Sequence, residues 1–168
     1  MEQMEQMEQR EHYLFTQLKF VRSQTLKLLD GVTEEMADRV PDGFRNTIRW
    51  NLGHVYVVLE RYIFQYLNLP QQLPAGFKEL FEFRTSPLDW QPGTAIPTLA
   101  ELEELLSSQL ERVEAAIANR LHETLPQPYT TSTGLTIESP EQFCSINLFH
   151  EGMHLSVIKL YKTMLARS

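Results

Sequence analysis

The sequence predicts an all-α protein, a four-helix bundle with one long crossover between the second and third helices. Four stretches carry apolar residues three and four positions apart, the spacing of one face of an α-helix. Residues 68–98, between the second and third stretches, hold five of the nine prolines and cannot form one continuous helix. With 42% hydrophobic residues, the 168-residue chain can bury a core and is expected to form one domain over residues 1–168.

The first two helices are predicted from their apolar stripes. The first covers residues 10–29 and is followed by Gly31, a residue typical of helix ends. Residues 1–9 repeat Met-Glu-Gln three times, and this low-complexity segment is predicted to extend the first helix. The second helix covers residues 46–67. Its buried face is predicted to carry Ile48, Leu52, Val55, Leu59, Tyr62 and Tyr66.

The last two helices begin at recognisable caps. Thr98 and Glu101 form a capping box at the start of the third helix, which is predicted to continue to about residue 122. The fourth helix is predicted to begin near Ser139, because a proline in its first turn suits a helix start. Residues 123–138 are compatible with a short β-hairpin or with no regular structure.

The crossover, residues 68–98, is rich in large aromatic side chains as well as proline. A connection of this length usually packs over another part of the fold, as a crossover or a lid. The segment is therefore predicted to pack on the bundle and to cover a substrate. Its aromatic residues include Phe77, Phe81, Phe83 and Trp90.

The charge balance excludes several classes of partner. The net charge is −7 and the fifteen basic residues are scattered, whereas nucleic acids and anionic membrane surfaces require basic clusters. No apolar run approaches the ~18 residues of a membrane span. The single cysteine, Cys144, cannot form an internal disulfide, which is typical of a reducing compartment. The sequence therefore predicts a cytoplasmic protein that binds neither nucleic acid nor membrane.

The fourth helix carries two histidines, His150 and His154, four residues apart. Residues at this spacing leave the same face of a helix, and here that face continues an apolar stripe. Two buried imidazoles need partners for their ring nitrogens, and a shared metal ion would satisfy both. His54, in the second helix beside Trp50, is predicted to face inward as a third ligand. Three imidazoles leave coordination positions for water or substrate, as in reactive zinc sites.

Other interpretations of these histidines either remain open or fail. Hydrogen-bonded core histidines without a metal remain an alternative. Nitrogen ligands alone do not select the metal; zinc and nickel are favoured, and iron and manganese remain open. The segment His150–His154 also matches the H-E-x-x-H zinc-protease motif, but no His, Asp, Glu or Cys follows it as a further ligand. A di-iron carboxylate site would need a second Glu-x-x-His pair, which the sequence lacks.

Three neighbours of these histidines allow more than one interpretation. Glu151 is offset from the ligand row by about 60–100° around the helix. It is predicted to carry protons or to support a ligand, and a place on a solvated face remains the alternative. Asn51 and Asn147, one turn before His54 and His150, are predicted either to support the ligands or to be ordinary core residues.

Three further residues are predicted to lie outside the metal site. Cys144 is about 120° around the helix from His150, so it is predicted to be a buried, inert thiol. His122 lies at the polar end of the third helix and His12 has Glu8 and Glu11 nearby, so both are predicted to be solvated.

Two segments resemble the DinB/YfiT-like family. Thr47–His54, with the sequence Thr-Ile-Arg-Trp-Asn-Leu-Gly-His, resembles that family's second-helix segment, and His150–His154 resembles its fourth-helix His-x-x-x-His. The resemblance implies a four-helix bundle in up-down-down-up order, a three-histidine site for a divalent metal and frequent homodimers. Characterised relatives include S-transferases and isomerases that use low-molecular-weight thiols such as bacillithiol or mycothiol.

The site and the resemblance lead to three hypotheses about function. The first is a metal-dependent enzyme that transfers a bacillithiol-type thiol to small electrophiles, because a metal lowers the pKa of a bound thiol or water. The second is a metal-dependent hydrolase. The third is a non-enzymatic bundle whose metal is structural, acting in stress response or assembly. In each of them His54, His150 and His154 hold the metal.

Overall fold

The computed structural model describes the backbone of residues 2–166 and the side chains of residues 13–166, so the side chain of His12 lies outside the described residues. This part of the chain is mostly helical, which confirms the predicted all-α class. None of its helices combines the length and the hydropathy that a membrane span requires. The helices are α1 Glu2–Lys27, α2 Glu34–Asp38, α3 Ile48–Glu60, α4 Phe77–Phe81, α5 Leu99–Ile117 and α6 Pro140–Leu165.

The predicted caps are present at the starts of the longer helices. The Thr98 hydroxyl accepts a hydrogen bond from the Glu101 amide, and the Glu101 carboxylate accepts one from the Thr98 amide, which completes the capping box of α5. Ser139 caps α6 by accepting from the Gln142 amide. Thr47 caps α3 in the same way, so α3 begins two residues later than predicted.

Two helical details were not predicted from the sequence. Residues 34–38 form the short helix α2, capped by Thr33. The second predicted helix is also not uniform, because α3 continues into a π-helical turn, Arg61–Gln65, in which the Tyr66 amide donates to the Arg61 carbonyl. A π-helical turn contains one more residue than an α-turn and changes which side chains share a face.

The crossover contains the helix α4 and a 3₁₀ turn, Pro87–Asp89, separated by irregular backbone. Phe77, Leu80 and Phe81 of α4 are buried against α3. A Cβ atom added to Gly53 would lie 2.4–2.6 Å from the Phe81 ring, so only glycine allows α4 to approach α3 this closely. Within residues 68–98, α4 thus packs on α3, whereas the role of the whole segment as a crossover of the bundle stays a prediction.

A short antiparallel hairpin precedes α6 and resolves the alternative left open for residues 123–138. Its strands are β1 Tyr129–Thr130 and β2 Thr136–Ile137, paired Tyr129 to Ile137 and Thr130 to Thr136. Ile137 is buried in the helical core. The hairpin therefore packs its inner face on the helices rather than extending into solvent.

The core consists of two hydrophobic clusters. One joins the middle of α1, the ends of α3 and α5, and the start of α6. The other joins the starts of α3 and α5, the helix α4, and the end of α6. Buried polar side chains lie where one cluster gives way to the other. They are Arg22 and Thr25 of α1, Asn51, His54 and Glu60 of α3, Gln109 of α5, and Asn147 and Glu151 of α6.

Candidate metal centre

The structure brings together the three histidines that the sequence indicated. His54 comes from α3, and His150 and His154 come from successive turns of α6. The ring centroids lie 5.2 Å apart for His54 and His150, 4.9 Å for His54 and His154, and 4.6 Å for His150 and His154. One nitrogen of each ring lies within 4.8 Å of the other two, close enough for all three to hold one metal ion.

Two of the rings are oriented by hydrogen bonds on their Nδ1 atoms. The Nδ1 atom of His54 lies 2.6 Å from the backbone carbonyl oxygen of Phe81. The Nδ1 atom of His154 lies 2.7 Å from Oδ1 of Asn51, whose own Nδ2 donates to the Thr47 carbonyl and so fixes the orientation of the amide. Both partner atoms are oxygens that can only accept a hydrogen bond. Each Nδ1 therefore carries a proton, and each Nε2 keeps a free lone pair. Such hydrogen bonds are typical of metal-ligating histidines.

His150 lacks a comparable hydrogen bond. Its Nδ1 atom is buried and has no partner within the described part of the chain. An unpaired buried ring nitrogen is costly in a core histidine that serves packing alone. In this structure His150 is therefore not a hydrogen-bonded core histidine through Nδ1, and a metal ion held by this nitrogen would satisfy it.

The surroundings keep the three imidazoles neutral, which is the state that binds metals. Burial, then the neighbouring His154, His54 and Arg61, lower the pKa of His150 to about 2. Burial and the neighbouring His54 lower the pKa of His154 to about 3. Burial also lowers the pKa of His54, against the opposing effect of the Phe81 carbonyl. In addition, Trp50 stacks on the His54 ring, with centroids 4.5 Å apart and planes 12° from parallel.

The three histidines line an open cavity of about 670 Å³. The crossover contributes Phe83 to its wall, whereas the hairpin region contributes Tyr129 and the hydroxyl-bearing residues 131–133. The expectation that the crossover covers a substrate stays a prediction. Among the described residues that line the cavity, the hairpin region contributes more than the crossover does.

Glu151 does not lie on a solvated face, because its side chain is 1% exposed. Its Oε1 accepts from Nε of Arg22 at 2.7 Å and from the Thr25 hydroxyl at 3.1 Å, and its Oε2 accepts from Nη2 of Arg22 at 3.1 Å. The alternative of a solvated face is therefore wrong: one residue beyond His150, α6 faces α1 rather than water. A role in carrying protons or supporting a ligand stays a prediction, and these contacts hold the carboxylate on α1.

The two asparagines have different partners. Asn51 supports His154, as one of its two predicted roles required. Asn147 is buried and its Nδ2 lies 3.5 Å from Oε2 of Glu151, so its side chain contacts Glu151 rather than a histidine.

The remaining predicted residues lie outside the histidine group. Cys144 is fully buried, and burial raises the pKa of its thiol to about 12, as expected of an inert core cysteine. His122 is exposed, with Nδ1 3.1 Å from Oε2 of Glu141. The prediction of a solvated position is confirmed for His122.

One residue of the cavity wall, Arg61, was not identified from the sequence. A signal was available, because Arg61 follows His54 by seven residues, which is two helical turns on the same face. The Val58 side chain, four residues after His54, lines the cavity between them. A search along the face of His54 would have found the arginine.

Comparisons with known proteins assign the family. No curated protein matches the chain significantly. A sequence model described as the DinB superfamily matches residues 17–158, most of the chain, and the matched region contains His54, His150 and His154. The helical fold and the histidine group described above lie within the same region. The chain therefore belongs to the DinB superfamily.

Proposed function

We propose that His54, His150 and His154 bind a divalent metal ion, zinc or nickel before iron or manganese, in an enzyme that acts on a small molecule. The observation that carries the proposal is the combination of three converging ring nitrogens, two of them oriented through Nδ1, at the wall of an open cavity. Structural zinc sites are closed by four protein ligands, whereas catalytic sites keep three and an open position. The open cavity favours the catalytic kind over a purely structural metal.

The reaction we favour is transfer of a low-molecular-weight thiol to a small electrophile. A bound divalent ion would lower the pKa of a coordinated thiol, so that the thiolate is available at neutral pH. The chain does not supply the sulfur, because its only cysteine, Cys144, is buried with a strongly raised pKa. In the transfer the thiol proton passes to water and the sulfur lone pair forms the new bond to carbon. The leaving group departs with the electrons of the bond that breaks.

A metal-dependent hydrolase remains the second candidate. Hydrolysis is usually assisted by a general base such as a carboxylate. Within the described part of the chain no carboxylate belongs to the histidine group. Glu151, the nearest in sequence, is bound by Arg22 and Thr25. These contacts favour thiol transfer, which needs no such base once the thiol is ionised.

We also propose that the longer helices form the up-down-down-up four-helix bundle that the resemblance implies. α1 and α6 run from the first hydrophobic cluster toward the second, whereas α3 and α5 run in the opposite direction. Contacts join α1 to α5 and α6, and α3 to the same two helices. These directions and neighbours support the proposed topology, with the crossover linking the two parallel helices α3 and α5.

Elemental analysis of the purified protein tests the metal site. We expect about one equivalent of metal in the wild type and less than about a tenth of that in His150→Ala, because two imidazoles without a third lose most of the affinity. His122→Ala is the matched control, since it removes an exposed imidazole outside the cavity and should leave the metal content unchanged. Equal metal content in wild type and His150→Ala would overturn the site assignment.

A reaction screen tests the proposed chemistry. The metal-loaded protein is incubated with 1-chloro-2,4-dinitrobenzene and, in turn, bacillithiol, mycothiol, glutathione or coenzyme A, and thioether formation is followed by absorbance. We expect at least one thiol to react faster with wild type than with His150→Ala, while His122→Ala matches wild type. Hydrolysis of ester substrates without any thiol reaction would favour the hydrolase instead.

A further inference from the structure

Arg61 gives the cavity a cationic group away from the histidines. At 1.5 Å of rise per residue, seven residues separate His54 from Arg61 by roughly 10 Å along the helix axis. Among the described residues that line the cavity, Arg61 is the one arginine, and no lysine, aspartate or glutamate accompanies it. The cavity thus has imidazoles at one position and a guanidinium at another.

The π-helical turn determines what accompanies this arginine. The turn begins at Arg61, and Tyr62 and Tyr66 line the cavity together with it. The extra residue of a π-turn changes which side chains share a face, and π-helical turns occur frequently at functional sites. Tyr129 of the hairpin packs against both tyrosines, with ring centroids 5.9 Å from Tyr62 and 4.8 Å from Tyr66. Three phenol rings therefore surround the guanidinium end of the cavity.

The Arg61 side chain is held in place, but not all of its hydrogen-bond donors have partners. Its Nη1 donates to Oε1 of Glu82, and its guanidinium carbon lies 5.6 Å from the centre of the Tyr62 ring. Its Nε is buried and has no hydrogen-bond partner in the described part of the chain. A guanidinium has five N–H donors in a planar fork, so donors remain for a second acceptor. The pair with Glu82 also shows that a carboxylate fits this guanidinium.

We propose that Arg61 determines substrate specificity by binding a carboxylate of the substrate, while the aromatic or aliphatic body of that substrate lies along the cavity. The inference rests on the proposed function, because the reacting end of the substrate would lie at the histidines. Trp50, Phe83 and Phe149 supply apolar wall to the same cavity. Arginine and carboxylate groups match in a planar, two-pronged geometry, which favours a carboxylate over an uncharged amide of the same shape.

A pair of probes that differ only in charge tests this role. Cobalt-loaded protein is titrated by calorimetry with 4-(mercaptomethyl)benzoate and with 4-(mercaptomethyl)benzamide. We expect the wild type to bind the benzoate at least about tenfold more tightly, the size of one charge-assisted hydrogen bond. In Arg61→Gln the two dissociation constants should agree within about twofold.

Two further variants distinguish carboxylate binding by Arg61 from a change in the structure of the cavity. Arg61→Lys keeps the positive charge but loses the planar set of guanidinium donors. We therefore expect a preference for the benzoate between those of the wild type and Arg61→Gln. Glu82→Gln removes the competing carboxylate, so the preference for the benzoate should increase. A wild-type preference below twofold, a preference that survives in Arg61→Gln, or no increase in Glu82→Gln would each overturn the inference. If Arg61→Gln fails to fold, the other two variants still decide the matter.

Failure of the proposed function gives a different result. A wild type that binds no cobalt would contradict the metal site and leave Arg61 testable. The metal-free protein is then titrated with 4-methylbenzoate and 4-methylbenzamide, which have no metal-binding thiol. Preference for the benzoate that disappears in Arg61→Gln would support the arginine's role alone, and equal binding of the two probes would overturn it.

Discussion

Two groups of buried polar side chains meet on α6, one at His150 and the other at the next residue, Glu151. The histidine group consists of neutral rings from α3 and α6 and opens onto a cavity. The Glu151 group consists of paired charges from α6 and α1, with Gln109 of α5 accepting from Arg22 at 3.2 Å. One group has nitrogen lone pairs left free toward the cavity, whereas the other satisfies its charges within the protein.

The difference teaches how one helix can serve both stability and chemistry. Residues 150 and 151 leave α6 about 100° apart, so they face different neighbours. The Glu151 group ties α6 to α1 and α5 at the level where the two hydrophobic clusters meet. Because this attachment holds α6 in place, the adjacent face of the helix can carry His150 and His154, whose ring nitrogens are not all used in hydrogen bonds within the protein.

The largest expected effect on stability comes from breaking the buried Arg22–Glu151 pair. Glu151→Ala leaves the Arg22 guanidinium buried without its carboxylate, and loss of one member of a buried pair costs about 3–5 kcal/mol. Urea denaturation of the metal-free protein measures the loss. The double variant R22M/E151M serves as the control and should recover most of the stability, because it removes both charges. A cost below about 1 kcal/mol for Glu151→Ala would show that the Glu151 group does not tie the helices together.

A smaller effect is expected from disturbing the support behind His54. Gly53→Ala places a methyl group within 2.6 Å of the Phe81 ring, and overpacking of this kind costs about 1–3 kcal/mol. It should also weaken metal binding, because the displaced α4 carries the carbonyl that holds His54.

Gly152→Ala is the matched control for that substitution. It makes the same change at a helix position where the new methyl group meets no other part of the fold within 4 Å, so stability should rise by up to about 1 kcal/mol. Thermal unfolding and metal titration of both variants provide the measurements. Equal behaviour of the two variants would mean that α4 does not constrain the histidine group.

The smallest effect on stability is expected at the amide that orients His154. Asn51→Ala removes the acceptor of the Nδ1 proton, and loss of such a partner lowers metal affinity about 10–100-fold. Asn51→Asp keeps an acceptor and should retain most of the affinity. Competition with a chromophoric chelator gives the dissociation constants. If the metal affinity of Asn51→Ala is unchanged, the hydrogen bond with Asn51 does not prepare His154 for metal binding.

The sequence was sufficient for features that depend on local spacing. The capping box at Thr98, the four-residue interval between His150 and His154 and the aromatic content of the crossover each predicted what the structure contains. Local spacing also placed His54 on an inward face. The helix directions stay a prediction, supported by how the hydrophobic clusters are distributed.

The sequence was insufficient where the outcome depended on which helices are neighbours. Glu151 could be placed 100° from His150, but the sequence does not say that Arg22 of α1 lies opposite to it. Arg61 itself could be found two helical turns after His54, but the π-helical turn that begins there, and the tyrosines it places beside the arginine, have no spacing signature of their own. The partner of His54 was also invisible, since it is a main-chain atom contributed by a segment 27 residues away.

The two oriented histidines differ in how their supports withstand mutation. The support of His154 is an amide side chain, which a single codon change can remove. The support of His54 is a peptide oxygen, and all twenty amino acids supply that atom. Position 81 can therefore exchange its side chain over evolutionary time, within the limits of size set by Gly53, without losing the ring's anchor. Homologous chains would share the path of the backbone at this point more faithfully than they share the residue.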